Sequence, residues 1–203
     1  PTEIILEPDG RNTTPAITIA ALKALDKFRD KNIDPILLIL SADHQIKDIS
    51  KFHLAIENSI EIALRDELVI FGVTPTYPAT GYGYIKRKGQ TNDLLEPIKI
   101  EKFIEKPNLS LAEKIFKNKD YSWNSGIYMA KASVLISELK TFSPEIMFYC
   151  KKSIDKMVDD LDFERIDKDS FAKCTSKSID KAVMEKTELG VVTPLQSEWT
   201  DIG

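Results

Sequence analysis

Three observations predict an α/β fold with a doubly wound, mostly parallel sheet flanked by helices. The first 73 residues alternate strand-like and helix-like patterns in the order β-α-β-α-β. The run Pro35-Ile36-Leu37-Leu38-Ile39-Leu40 is apolar without polar alternation and stops at Ser41-Ala42-Asp43-His44, the pattern of a strand buried on both faces whose C-terminal end opens into a cleft. A chain of 203 residues with 42% apolar content fits one α/β domain better than two.

The elements follow in order. Ile4-Ile5-Leu6 reads as a short strand, and the polar turn Glu7 to Thr13 leads to a helix that Thr14 caps and Pro15 opens, because proline at the first helical position gives up an amide that would be unpaired anyway. That helix is expected to run to about Arg29 with Ile17, Ala21, Leu25 and Phe28 on one stripe. The strand Ile36 to Leu40 comes next, then a helix from Ser50 to Leu64 with Phe52, Ile56 and Ile60 on its apolar face, then the strand Leu68 to Val73. Two prolines and two glycines among aromatic residues make Thr74 to Gly83 a long loop entering a strand at Tyr84-Ile85. Ile98, Ile100 and Phe103 mark a strand ending at Glu105-Lys106-Pro107, Leu109 to Phe116 a helix, and Trp123 to Met129 a strand. The spacing of Ile146, Cys150, Ile154, Met157 and Leu161 predicts a helical region from Phe142 to Leu161, and Val191-Val192 a late short strand.

Composition narrows the function classes. With 28 basic and 32 acidic residues the net charge is −4 and no basic block stands out, so a nucleic-acid partner is not expected. Apolar runs of six to seven residues are too short to span a membrane. Cys150 and Cys174 have neither metal-ligand spacing nor the pattern of a secreted disulfide framework, which suits a reducing cytoplasm. Pro1 leads into the first strand with no initiator Met, so the natural chain is expected to start earlier.

Asp43 and Asp201 each sit where a strand finishes. Two carboxylates from distant parts of the chain are what a Mg²⁺ bound to substrate phosphates requires, since that ion keeps most of its shell as water and phosphate oxygen. Glu105 and Lys106 put an acid beside an ammonium at a strand end stiffened by Pro107, where one can accept sugar hydroxyl hydrogens and the other meet a phosphate. Gly83, in Gly81-Tyr82-Gly83, permits close backbone approach to a ligand, but the segment is neither GxGxxG nor GxxxxGKS. Asn124, before Ser125-Gly126, either binds a hydroxyl or shapes a turn. His44 and His53 lack partners at ligand spacing and are read as bystanders, and Asp160-Leu161-Asp162 and Asp167-Lys168-Asp169 as solvated acids. Glu7, held by Pro8, is acceptor-only when ionised and matches the paired N1–H and N2 donors of a guanine.

Seven segments in order carry a resemblance. Glu7-Pro8-Asp9-Gly10-Arg11-Asn12-Thr13-Thr14-Pro15-Ala16, Ser41-Ala42-Asp43-His44, Thr80-Gly81-Tyr82-Gly83-Tyr84-Ile85, Phe103-Ile104-Glu105-Lys106-Pro107, Trp123-Asn124-Ser125-Gly126-Ile127-Tyr128, Ser178 to Lys186 and Trp199-Thr200-Asp201-Ile202-Gly203 resemble the motif series of bacterial mannose-1-phosphate guanylyltransferases, members of the sugar nucleotidyltransferases. The resemblance covers essentially the whole chain. It implies a Rossmann-like nucleotide-diphospho-sugar transferase fold, and an enzyme that makes GDP-mannose and pyrophosphate from GTP and mannose 1-phosphate with Mg²⁺ in the cytoplasm, for polysaccharide biosynthesis. On this resemblance Asp43 and Asp201 hold the metal, Glu7, Gly10, Arg11, Asn12 and Asp43 the nucleotide, and Gly83, Glu105, Lys106 and Asn124 the sugar phosphate. Lys106, Asp43 and Asp201 are then the catalytic set, and a homodimer is compatible with the family. The family also carries a Gly-rich phosphate-binding segment after its first strand, so residues 1–203 are expected to be one nucleotidyltransferase domain, incomplete at its N-terminus and at its C-terminus and inactive alone. Many relatives add a C-terminal phosphomannose isomerase domain. Two other readings fit less closely: transfer to another nucleotide and hexose phosphate pair, against which the Gly10 to Ala16 run counts, and a silent nucleotide-sugar-binding homologue, against which the intact metal and phosphate positions count.

Overall fold

The computed structural model describes residues 3–89 and 96–203, so Pro1 lies outside the described residues. The strands are β1 (Ile4–Leu6), β2 (Ile36–Ile39), β3 (His44–Ile46), β4 (Leu68–Val73), β5 (Tyr84–Arg87), β6 (Ile98–Ile104), β7 (Tyr121–Lys131), β8 (Val158–Asp160), β9 (Phe163–Arg165), β10 (Gly190–Pro194) and β11 (Trp199–Asp201). The α-helices are α1 (Thr13–Lys27), α2 (Ile49–Leu64), α3 (Leu109–Phe116), α4 (Ala132–Phe142), α5 (Pro144–Ile154) and α6 (Lys168–Phe171), with a π-helical turn at Asp180–Met184. The chain divides into two compact units, one made of Pro1–Pro35 and Ala132–Lys186, the other of Ile36–Lys131 and Thr187–Gly203.

The second unit is built on a six-stranded sheet in the order β2-β7-β4-β10-β6-β5. β4 is its centre: Leu68, Val69, Ile70, Phe71, Gly72 and Val73 are all buried, as a continuous apolar run predicts. Gly72 is required there, since a Cβ would fall 2.6 Å from Val192 Cγ2 and 2.9 Å from Ser122 Cβ on the flanking strands. β7 is eleven residues long and pairs with β4 along its length, but on its other edge it takes β5 at Trp123 and β2 at Met129. The β5 pairing closes the sheet into a barrel-like ring. β3 and β11 form a separate two-stranded antiparallel ribbon. A core of Phe52, Phe71, Tyr84, Ile115, Trp123, Ile127 and Met129 underlies this unit.

The expected mostly parallel sheet is corrected here. Only β4–β10 is parallel in the six-stranded sheet, and the other pairings in it are antiparallel. The long bent β7 is the cause, because it runs opposite to both β2 and β4 and inserts between strands that the β-α-β-α-β pattern would have made parallel neighbours. β2 is likewise not buried on both faces. It pairs with β7 alone among the described residues, Leu38 is 36% exposed and Leu40 53%.

The first unit packs α1, α4, α5 and α6 around Ile19, Ile146, Cys150, Ile166, Phe171 and Cys174, with a small sheet in the order β1-β9-β8. The expected cap at Thr14 is displaced: Asn12 caps α1, its Oδ1 accepting from the Thr13 amide at 2.8 Å, and Pro15 takes the third helical position. The helix predicted to reach Leu161 stops at Ile154, and β8 and β9 follow as a hairpin whose turn residue Leu161 is 96% exposed with φ +58°. The helical spacing there was fortuitous, since Leu161 contributes nothing to the core. In α2 the buried stripe is Phe52, Ala55, Ser59, Ile62 and Ala63 rather than Phe52, Ile56 and Ile60, with Ile60 39% exposed.

Candidate active site

Two clusters of predicted residues form within the second unit. The first gathers Asp43, His44 and Asp201, each of which offers a ligand atom within 4.8 Å of the others. The β3–β11 register opposes Asp201 to His44, and opposed residues of an antiparallel pair project to the same face. Asp43 is tied in by its carbonyl, which accepts from the Ile202 amide at 3.0 Å, and the Gly203 amide donates to Asp201 Oδ1 at 2.9 Å. A Cβ on Gly203 would lie 2.4 Å from Asp43 Oδ2 and 3.2 Å from Asp201 Oδ1, so the two carboxylates converge where that residue has only hydrogen. Hard oxygen donors converging here, with the Asp43 side chain 57% exposed, fit a divalent cation that keeps water and phosphate in its shell.

The second cluster gathers Gly83, Glu105, Lys106 and Asn124. The Asn124 amide donates to the Gly83 carbonyl at 2.8 Å, and a Cβ on Gly83 would lie 2.8 Å from Glu105 Oε2 and 3.3 Å from Asn124 Cβ. With Phe103 Cζ 3.1 Å from the same point, three walls meet on Gly83, which is why it is glycine. The Asn124 side chain is buried and fixed, its Oδ1 accepting from the Gly126 amide at 2.9 Å and its Nδ2 donating to the Tyr128 hydroxyl at 3.0 Å. The turn-shaping reading of Asn124 is realised at Gly126, and its side chain lies beside Gly83. Glu105 is only 10% exposed and Lys106 63%, with Nζ 3.8 Å from Glu105 Oε1. Lys106 has φ +44°, a conformation that costs a non-glycine residue, the more so before proline.

A line of aromatic rings joins the two clusters. His44 meets Trp199 edge-on at 5.1 Å, Trp199 meets Tyr82 at 5.2 Å, Tyr82 meets Trp123 at 5.2 Å and Trp123 meets Tyr77 at 4.9 Å. Burial, then the Tyr77 hydroxyl and the Asp201 charge, push the Tyr82 phenol up. This scaffold went unread in the sequence, although a signal was there: Tyr82 precedes Gly83, Trp123 precedes Asn124 and Trp199 stands two residues before Asp201. His44, read as a bystander, lies in β3 near both aspartates, a placement that spacing along the chain could not reveal for a partner 157 residues away. His53 is exposed.

Glu7, Gly10, Arg11 and Asn12 belong to the first unit. Glu7 is half-buried, burial raises its carboxyl above the ordinary range, and its Oε1 is buried without a partner. Arg11 Nε and Thr14 Oγ1 are buried without partners as well. Asn12 has its side chain engaged in the α1 cap, and Gly10 stands in open space. Cys150 and Cys174, far apart in sequence, meet as free buried thiols with their sulfurs 3.7 Å apart. Of the acid runs, Asp162 and Asp169 are exposed, whereas Asp160 pairs with Arg165 and Asp167 caps α6.

The family model for nucleotidyl transferases matches residues 1–203. The chain belongs to that family. Among curated relatives of this nucleotidyl transferase, it is 46% identical to the mannose-1-phosphate guanylyltransferase RfbM of Salmonella typhimurium over 98% of its own length and 41% of the relative's, and 44% identical to the xanthan biosynthesis protein XanB of Xanthomonas campestris over 100% and 42%. The chain thus spans about two fifths of these relatives. Among solved structures, one described as mannose-6-phosphate isomerase from Helicobacter pylori superposes with a TM-score of 0.86 at 29% identity, over 97% of this chain and 74% of that one. No helix among the described residues is long and apolar enough to cross a membrane.

Proposed function

We propose that the chain is the nucleotidyl-transfer domain of a mannose-1-phosphate guanylyltransferase, which joins GTP to mannose 1-phosphate, giving GDP-mannose and pyrophosphate with Mg²⁺ in a reducing cytoplasm. Identities of 44–46% to relatives named for this activity or for xanthan biosynthesis support the substrates. The observation that carries the reading is the convergence, in one unit, of a two-aspartate cluster with a Gly83, Glu105, Asn124 and Lys106 cluster.

The chemistry asks little covalent participation of the protein. A phosphate oxygen of mannose 1-phosphate is already ionised at neutral pH; it attacks the α-phosphorus of GTP, a new P–O bond forms, and the bond to the β-phosphate oxygen breaks to release pyrophosphate. Positioning and charge neutralisation then supply the rate. Lys106, exposed and projecting from its strained turn, meets the sugar phosphate as a point charge. The enclosed Glu105 carboxylate accepts mannose hydroxyl hydrogens beside the Gly83 backbone, and Asn124 holds that wall rigid. Glu7 accepts from guanine N1–H and the N2 amino group, while Gly10, Arg11 and Asn12 flank the nucleotide. A divalent cation on Asp43 and Asp201 would neutralise charge on the triphosphate.

Steady-state synthesis of nucleotide sugar by the full natural protein, with GTP, UTP, dTTP and ATP offered in turn against mannose 1-phosphate, tests the reading. GTP is expected to lead. Preference for another nucleotide would move the substrate assignment, and no turnover with any would favour a silent nucleotide-sugar-binding homologue.

A further inference from the structure

His44 is more enclosed than a bystander beside an open acidic pair should be. Its side chain is 10% exposed while that of its neighbour Asp43 is 57% exposed. The ring is held edge-on by Trp199 at 5.1 Å. On another side its Cε1 lies 3.4 Å from where a Cβ of Gly126 would stand, at a residue whose φ of +73° also favours glycine. Backbone and ring packing therefore fix this imidazole in one place. That place is opposite Asp201 in the β3–β11 register, with Nε2 3.9 Å from Asp43 Oδ1.

A first-row divalent ion with bonds of about 2.1 Å accommodates donors up to about 4.2 Å apart. The Nε2 to Asp43 Oδ1 distance falls inside that span, and the 4.8 Å limit on all three donors closes with a small side-chain adjustment. Resting on the reading that the two aspartates hold a cation, we propose that His44 is its third protein ligand, through Nε2, making the centre a two-carboxylate, one-imidazole site that binds Mn²⁺ or Co²⁺ more tightly than Mg²⁺. The preference follows from donor chemistry. Magnesium takes oxygen almost exclusively, whereas imidazole nitrogen suits the later divalent ions and strengthens their binding along the series. The exposed flank at Asp43 leaves the remaining positions to water and to substrate phosphate.

The test uses the full natural protein with Mn²⁺ as the probe. Electron spin echo envelope modulation is expected to give the ¹⁴N signature of a bound imidazole in the wild type, and His44→Gln and His44→Asn to remove it. Calorimetry is expected to give a Mn²⁺ affinity on the order of 10-fold tighter than Mg²⁺, falling about 10-fold in either variant while Mg²⁺ binding changes less than about threefold. Mn²⁺ bound without ¹⁴N modulation in the wild type would overturn the imidazole ligand and leave the two-aspartate site standing; that spectrum needs no variant to fold. Mn²⁺ that fails to bind, or binding indifferent to Asp43→Asn, would overturn both.

Discussion

The two sets of predicted binding residues differ in how their polar atoms are satisfied. Around Gly83 the predicted sugar-phosphate side chains are already arranged: Asn124 is bonded through both ends of its amide, Glu105 sits 3.8 Å from Lys106, and the Gly83 carbonyl accepts from the Asn124 amide, while beside them the Trp123 Nε1 is buried without a partner. In the segment from Glu7 to Thr14 of the first unit, Glu7 Oε1, Arg11 Nε and Thr14 Oγ1 are buried with no partner. Leaving such groups unpaired costs about 1–3 kcal/mol each, so a fold keeps them where something else gains by it. The contrast assigns different work to the two regions. Under the proposed function, the Gly83 region would receive the sugar phosphate with its side chains already bonded, and the Glu7 to Thr14 segment would have donors and acceptors for a nucleotide to meet.

The largest disturbance is expected from the charge cluster shared by neither region. Asp43→Ala or Asp201→Ala, made in the full natural protein, should lower turnover by more than about 100-fold, beyond the loss typical of a partner that merely supports a metal ligand. Both side chains lie on loops or a ribbon end outside the buried core, so the unfolding midpoint should hold. Thermal unfolding beside steady-state kinetics makes the check, and near-normal turnover at limiting Mg²⁺ in either variant would remove that residue from the cation site.

A smaller effect is expected at Gly83, where the preorganised region can be broken without touching a charge. Gly83→Ala drives a methyl to within 2.8 Å of Glu105 Oε2 and 3.1 Å of Phe103 Cζ. The carboxylate end can move and the ring less so; overpacking of this kind costs about 1–3 kcal/mol, much of it as displacement of Glu105. The KM for mannose 1-phosphate should rise on the order of 10-fold with the KM for GTP nearly unchanged. Equal changes in both constants would mean that the walls around Gly83 do not belong to the sugar.

Legibility in the sequence divided along physical lines. α3 was readable to the residue because Asn108 caps it, accepting from the Leu111 amide, and a proline precedes the cap. β4 was readable because its six residues are all buried. β2 misled, since an apolar run at a sheet edge carries the same letters as one at the centre, and only the pairing partners distinguish them. The Met157 and Leu161 positions misled in the opposite way: two residues in helical register cannot outweigh a hairpin turn at Leu161, and α4, which ends at Phe142 where the expected helical region begins, went unread. At the site, the aspartates could be found from strand ends and motif order. The His44 to Tyr77 line of rings could not, because each contact in it joins segments that only the closed sheet and the β3–β11 ribbon bring together.

Glu7 sharpens the comparison from the unsatisfied side. Glu7 loses hydration without gaining a partner at Oε1, and burial holds its carboxyl above the usual glutamate range. A group whose folded value is raised binds its proton more tightly folded than unfolded, so its burden is absent below the ordinary glutamate range and develops as pH rises through the raised value. The Glu7 contribution to the unfolding free energy should therefore fall between acidic and neutral pH, so Glu7→Gln should gain stability relative to the wild type as pH rises. Ligand binding should run the other way. Guanine offers two adjacent donors that only the ionised form can accept together, so GTP binding should weaken as pH drops through a value above the ordinary range, and Glu7→Gln should lose about 1–3 kcal/mol toward GTP with a narrower margin over UTP. Denaturant unfolding at several pH values, paired with kcat/KM for GTP and UTP, separates the two effects. If the variant gains stability relative to the wild type as pH rises yet leaves the GTP to UTP ratio unchanged, Glu7 is a buried acid of the first unit and not the reader of the base.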